Sequence, residues 1–175
     1  MSDNWVYERT EDNKARFLLG EPGARTLVCI GINPSTAEPG RLDNTLTSVK
    51  RFSKDLQYDS WMMLNVYPQR ATDPNDLQHD MDRQYHEENL KQIASFVASG
   101  SFDVWAAWGT NIRKRHYLLP CLNDIVAITT KRSIKWFTMG NTTKHGHPHH
   151  PLYLSRHSVL EPFNIRQYLI RQNAE

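Results

Sequence analysis

Thr26-Leu27-Val28-Cys29-Ile30-Gly31-Ile32 is a short, continuous apolar run. Such a run, without polar alternation, reads as a strand buried on both faces of a sheet. The chain then passes through a loop with Pro34, Pro39 and Gly40 to Asp43, which reads as a helix N-cap. Leu46, Val49, Phe52 and Leu56 follow at helical spacing and give that helix one apolar face. Trp61-Met62-Met63-Leu64-Asn65-Val66 and Val104-Trp105-Ala106-Ala107-Trp108 repeat the buried-strand pattern. Between them a polar loop over 68–80 leads into a helix over 82–99, with Leu90, Ile93 and Val97 facing inward.

Outside this frame, the segment from Trp5 to Leu19 alternates loosely and reads as a hairpin or an edge strand, closed by the turn chemistry of Glu21-Pro22-Gly23. Thr110 is a candidate cap for a basic helix through Leu119. Ile125–Thr129 and Trp136–Met139 are strand candidates, and a last helix is expected over 162–172. Alternation of strands and helices predicts an α/β protein: a three-layer α/β/α sandwich around a mainly parallel sheet. No repeat, low-complexity tract or linker divides the 175 residues, so one domain is expected over 1–175.

Composition narrows the classes. Hydrophobic residues make up 39% and charged residues 23%, which fits a globular protein and excludes extended disorder. No apolar run is long enough to span a bilayer, and the first ten residues hold no signal-like apolar core. The two cysteines, Cys29 and Cys121, cannot build a disulfide framework or a four-cysteine site. A reduced, cytoplasmic protein with no membrane association is therefore expected. Charge is uneven along the chain. Residues 1–100 carry 11 Lys/Arg against 15 Asp/Glu, a net −4, whereas 101–175 carry 10 against 4, a net +6. The basic portion suggests a surface for a polyanion, unless folding mixes the two portions in space.

Ligand-binding loops of α/β proteins gather at the carboxyl ends of the strands. Three polar loops leave strand ends here, over 33–43, 65–74 and 144–153. Their convergence on one cleft is the main structural expectation. In the first, Gly31 permits close backbone approach, and Pro34 stiffens the exit that carries Asn33 and Ser35. Asn33 is a candidate to orient a water or a base edge, although turn-tying alone accounts for Asn33 and Ser35. Asp43 is the leading carboxylate, with helix capping as its simpler role. In the second loop, Asn65 closes a buried strand, where an unpaired amide is costly and requires a partner, protein or ligand. Arg70 offers a planar fork for phosphate, or else pairs with Asp73 at the surface.

The third loop, Lys144-His145-Gly146-His147-Pro148-His149-His150-Pro151-Leu152-Tyr153, holds four imidazoles. Two prolines restrict their convergence and no matching ligand signature occurs elsewhere, so no intrinsic metal and no cofactor are expected. A rigid His-Pro turn presenting one imidazole to developing negative charge is the more useful reading. Trp108 can stack on a base, with core packing as the competing role. Arg113-Lys114-Arg115 reads as a solvated basic face able to touch phosphate.

Taken together, Asn33-Pro34-Ser35-Thr36-Ala37, Asp43-Asn44-Thr45, Asn65 through Pro74, Ala107-Trp108-Gly109 and His150-Pro151-Leu152-Tyr153 resemble a family of unknown function, numbered 1643 among such families. The resemblance runs from about Trp5 to Tyr153 and implies no activity. The same segments are similar, more distantly, to the uracil-DNA glycosylase superfamily, which has a three-layer α/β/α fold. Gly31-Ile32-Asn33-Pro34 resembles the first motif of its mismatch-specific branch, which implies that Asn33 positions a hydrolytic water. Asn65 resembles the residue that reads the flipped base, and His150-Pro151 the motif whose His steadies charge on the leaving base. Ser35 stands where that branch has Gly, and no Ser-Pro follows His150-Pro151. The cluster-binding cysteines of some branches are absent, so no iron–sulfur cluster is implied.

The resemblance implies an N-glycosidic hydrolase acting on a nucleobase in DNA or a nucleotide. Asn33, Asp43 and His150 are its candidate catalytic residues. Gly31, Pro34, Ser35, Asn65, Arg70, Trp108 and Tyr153 are its candidate substrate contacts. The alternatives are a non-catalytic nucleic-acid or nucleotide-binding module, and another small-molecule enzyme on the same fold.

Overall fold

The computed structural model describes residues 4–175. A hairpin opens the chain: β1 (Val6–Arg9) pairs antiparallel with β2 (Arg16–Glu21). The buried run becomes β3 (Thr26–Gly31), and the loop after it feeds α1 (Asn44–Asp55), capped by Asp43, whose side chain accepts from the Leu46 N–H. There follow β4 (Ser60–Asn65), α2 (Arg83–Val97), β5 (Asp103–Ala106), α3 (Leu118–Thr129), β6 (Lys135–Met139), β7 (Leu160–Pro162) and α4 (Ile165–Ala174).

The seven strands form one open sheet in the order β1-β2-β4-β3-β5-β6-β7. The central four, β4-β3-β5-β6, are parallel, while β1, β2 and β7 pair antiparallel at the two edges. The sheet is therefore parallel through its four central strands and mixed at its edges. The connections account for it: a hairpin joins β1 to β2 and the loop over 140–159 brings β7 back beside β6, whereas the helical crossovers enforce parallel pairing inside.

Period-two alternation divides the core between the faces. Leu27, Cys29, Trp61, Met63, Trp105 and Ala107 pack with Leu46, Val49 and Phe52 of α1 on one face. Val28, Ile30, Met62, Leu64, Val104, Ala106 and Trp108 pack on the other with Ile93 of α2, Leu122 and Ile125 of α3 and Leu169 of α4. Helices thus cover both faces. No helix among the described residues is long and apolar enough to cross a membrane.

Two expectations are corrected. Ile125–Thr129 is not a strand but the last part of α3, whose buried residues Leu118, Cys121, Leu122, Ile125, Val126 and Thr129 recur at helical spacing. Thr110 caps no basic helix; Gly109–Arg113 is a short 3-10 turn without a side-chain cap. Arg113 and Lys114 are exposed and Arg115 half-buried, and their cations are hydrogen-bonded within the protein. Arg115 donates to the carbonyls of Asn75, Leu77 and Gln78, and Arg113 to Gln172, so this cluster is tied to neighbouring segments.

Candidate functional site

The loops after β3 and β5 lead to helices on opposite faces of the sheet. Diverging connections of this kind open a crevice at the carboxyl ends of the strands. A cleft of about 400 Å³ lies there. All three expected loops line it, through Gly31–Thr36 and Asp43–Leu46, through Asn65, Ala71, Thr72 and Pro74, and through His150–Tyr153.

The first two loops are zipped together. The Val66 and Tyr67 N–H groups donate to Gly31 and Ile32 at 2.9 and 3.0 Å, and the Ala71 N–H donates to Pro34 at 2.9 Å. Asn33 completes the seam: its Nδ2 donates to the Ala71 carbonyl at 2.8 Å and to that of Pro34 at 3.0 Å. The amide N–H₂ is thus a loop brace, and its Oδ1 is the polar atom left for the cleft. Ser35 Oγ and Thr72 Oγ1 share a further bond of 3.2 Å.

Asn65 behaves differently. Its residue is fully buried, and neither Oδ1 nor Nδ2 has a hydrogen-bond partner among the described residues. Its backbone carbonyl is held by Asn89 Nδ2 at 3.0 Å, which fixes the strand end while leaving the side-chain amide unused. In the parallel register Asn65 lies opposite Gly31, and a Cβ there would stand 3.3 Å from Asn65 Oδ1. The missing side chain at Gly31 makes room for the carboxamide. A buried amide with both polar atoms unpaired costs on the order of 1–3 kcal/mol per group, so the Asn65 carboxamide calls for a partner from the cleft, water or ligand.

His150 stands on the third wall at the start of the turn Pro151–Tyr153. Its Nδ1 accepts from the Leu152 N–H at 3.2 Å, which leaves the proton of the neutral ring on Nε2. Burial pushes its pKa below the ordinary 6.5, partly opposed by the field of Asp43. At neutral pH His150 is therefore an uncharged N–H donor. Gly109, with a φ of +65°, presents its open Cα side to the backbone N and Cβ of His150, so the turn after β5 supports this wall. Asp43 spends one carboxylate oxygen on capping α1, at 2.9 Å from the Leu46 N–H.

Not every candidate reaches the cleft. Trp108 is fully buried on the opposite face of the sheet, where its Nε1 donates to Tyr168 at 3.0 Å, so it has no face free for a base. Arg70 makes no pair with Asp73. Its Nη1 donates to the carbonyls of Ser35 and Ala37 and its Nη2 to Tyr7 Oη, so it clamps the first loop from behind. Asp73 caps the turn Pro74–Asp76 instead. Tyr153 does line the cleft, at its mouth, and is 81% exposed.

The histidines of the third loop diverge. His147 turns inward, where Tyr168 Oη, already an acceptor for Trp108, lies 2.9 Å from its Nδ1. His150 alone of the four lines the cleft. Among the described residues no three His, Cys, Asp or Glu side chains are placed to hold a metal ion. Cys29 and Cys121 are buried free thiols, and burial raises the pKa of both.

Sequence reasoning missed Arg16 and Asn111, which also line the cleft. Arg16 is fully buried at the start of β2. The signal for it is a single cation inside Ala15-Arg16-Phe17-Leu18-Leu19. Asn111 comes from the turn after β5 and carries no distinguishing pattern.

No curated protein and no solved structure matches the chain. One family model matches residues 16–152, from the buried arginine to the turn that carries His150. Since that match takes in most of the chain, the protein belongs to the family described as protein of unknown function DUF1643.

Proposed function

We propose that this protein is an N-glycosidic hydrolase that recognises a nucleobase. The observation that carries the reading is the buried, unpaired carboxamide of Asn65. A primary amide offers one acceptor and one donor side by side, the complement of the –CO–NH– edge of a pyrimidine or oxopurine. The reading also draws on the resemblance of the cleft segments to the uracil-DNA glycosylase superfamily.

In this reading the base lies against Asn65 and the sugar toward Asp43. Water attacks the anomeric carbon, the C–N bond breaks, and its electron pair leaves with the base. His150 Nε2–H donates a hydrogen bond to the charge that grows on the base, a role suited to a neutral imidazole held by its Nδ1. The free oxygen of Asp43 accepts the water proton and steadies the cationic sugar. Asn33 braces the first wall and turns Oδ1 toward the water.

The test is incubation of the protein with nucleotides and with single- and double-stranded oligonucleotides carrying uracil or hypoxanthine, followed by chromatography of released base. Release that is lost in Asn65→Leu and His150→Asn is the expected result. No release from any substrate overturns the proposal. A second reading, nucleotide binding without turnover, is favoured by one observation: the Asn33 N–H₂ is committed to two backbone carbonyls. Binding that depends on Asn65 without base release is its signature.

A further inference from the structure

Arg16 is the second unmatched group of the cleft. It is wholly buried, yet no carboxylate forms a salt bridge with it among the described residues. Its Nη1 donates to the Ala37 carbonyl at 3.1 Å, while Nε and Nη2 have no partner. That carbonyl needs no second donor, because Arg70 Nη1 already reaches it at 3.2 Å. Arg70 adds a further positive charge nearby, and Asp43 is the carboxylate whose field reaches Arg16. A buried guanidinium with free donors and two cations against one anion is costly for the fold alone.

Its surroundings point the same way. Arg16 begins β2, the strand next to β4 with Asn65 at its end. The first residues of α1, Asn44, Thr45 and Leu46, line the same cleft, so a helix N-terminus of a twelve-residue helix adds its positive end. One wall therefore offers a hydrogen-bonding edge, and the adjoining one a fixed cation with unused donors.

We infer that Arg16 and the start of α1 form an anion subsite, and that the ligand of the cleft is a free nucleoside monophosphate with its phosphate at Arg16. This rests on the nucleobase reading of Asn65. The phosphates of a polynucleotide run along a protein's surface and are met by exposed Lys and Arg. A guanidinium that solvent does not reach is met only by a group that enters the cleft, and a terminal phosphate on an unpolymerised nucleotide is such a group. Planar fork geometry makes arginine the suited partner for two phosphate oxygens.

The experiment is a thermal-shift and calorimetric comparison of nucleoside 5′-monophosphates with the matching nucleosides, inorganic phosphate, and single-stranded oligonucleotides lacking terminal phosphate. It is run on the full chain and on Arg16→Met, whose own melting temperature reports that it folds. The expected result is that one or more monophosphates bind about tenfold or more tightly than their nucleosides, and that Arg16→Met removes this preference while keeping nucleoside affinity. Equal affinity for nucleoside and monophosphate, tighter binding of the oligonucleotide, a preference that survives Arg16→Met, or no binding of any probe overturns the inference. Base release from nucleosides without phosphate dependence overturns the subsite and leaves the hydrolase reading standing. Phosphate-dependent binding without base release does the reverse.

Discussion

Gly31 and Asn65 face each other across adjacent parallel strands, and the space that a methyl group at Gly31 would take is shared by Asn65 Oδ1, 3.3 Å away, and Met63 Cε, 2.6 Å away. Gly31→Ala meets the flexible tip of Met63 first, so the chain still folds, at a cost of about 1–3 kcal/mol. The Asn65 amide is crowded as well. Ligand affinity is expected to fall by about tenfold or more, read by calorimetry against a melting curve that shows a folded protein.

Asn65→Leu makes the opposite trade. It removes two buried polar atoms that have no partner and keeps the volume close. The melting temperature is expected to rise, by an amount equivalent to about 1–3 kcal/mol, while base recognition is lost. Chemical denaturation together with the base-release assay checks both halves. A stability loss would mean that the amide is already satisfied in the folded protein.

Arg16 and Arg70 donate to the same carbonyl but are expected to respond differently. Arg70→Met breaks its bonds to Ser35, Ala37 and Tyr7 and is expected to destabilise by about 2–4 kcal/mol, since hydrogen bonds from charged groups contribute about 1.5–3 kcal/mol each and the loop partly relaxes. Arg16→Met leaves Ala37 bonded to Arg70 and removes a buried charge without an ion-pair partner, so its stability is expected to hold or rise. Parallel urea titrations of the two variants decide the point.

Acid sensitivity follows from His147 and His150, both of which burial holds below the ordinary histidine pKa of 6.5. In the unfolded chain each binds a proton near that value; in the folded protein each binds it only at lower pH. The unfolded state therefore carries more protons between the two, and stability falls as pH drops from 6.5 through the folded values. Melting temperatures across that range are expected to show the fall, and its slope to lessen in His150→Asn. That variant keeps an acceptor for the Leu152 N–H but loses the Nε2 donor, so base release is expected to drop by about 100-fold or more.

The strands and the cleft were legible where the pattern is local. The apolar runs set β3, β4 and β5, and the Asp43 cap with Leu46, Val49 and Phe52 set α1. The polar loops at the strand ends met as expected because a central parallel sheet sends all such ends to one rim. What was not legible depends on facing. Trp105 and Trp108 belong to the same run, but an odd spacing puts them on opposite sides of the sheet, and neither lines the cleft. Ile125–Thr129 is too short to separate strand from helix by composition, and the deciding residues, Leu118 and Cys121, stand before it. Arg16 escaped because a cation in an edge hairpin reads as solvent-facing, whereas in the fold it is buried and donates to Ala37 of the loop after β3.

The bond from Tyr168 to His147, together with the one from Gln172 Nε2 to the His145 carbonyl at 3.1 Å, ties the histidine loop to α4. The family match ends at residue 152, before either of these anchoring side chains. A polypeptide trimmed to the shared region would keep Asn33, Asn65 and His150 yet lose the bracket that steadies the last of them. The hold on the third wall of the cleft is thus supplied from outside the stretch that defines the family, by the last helix of this chain.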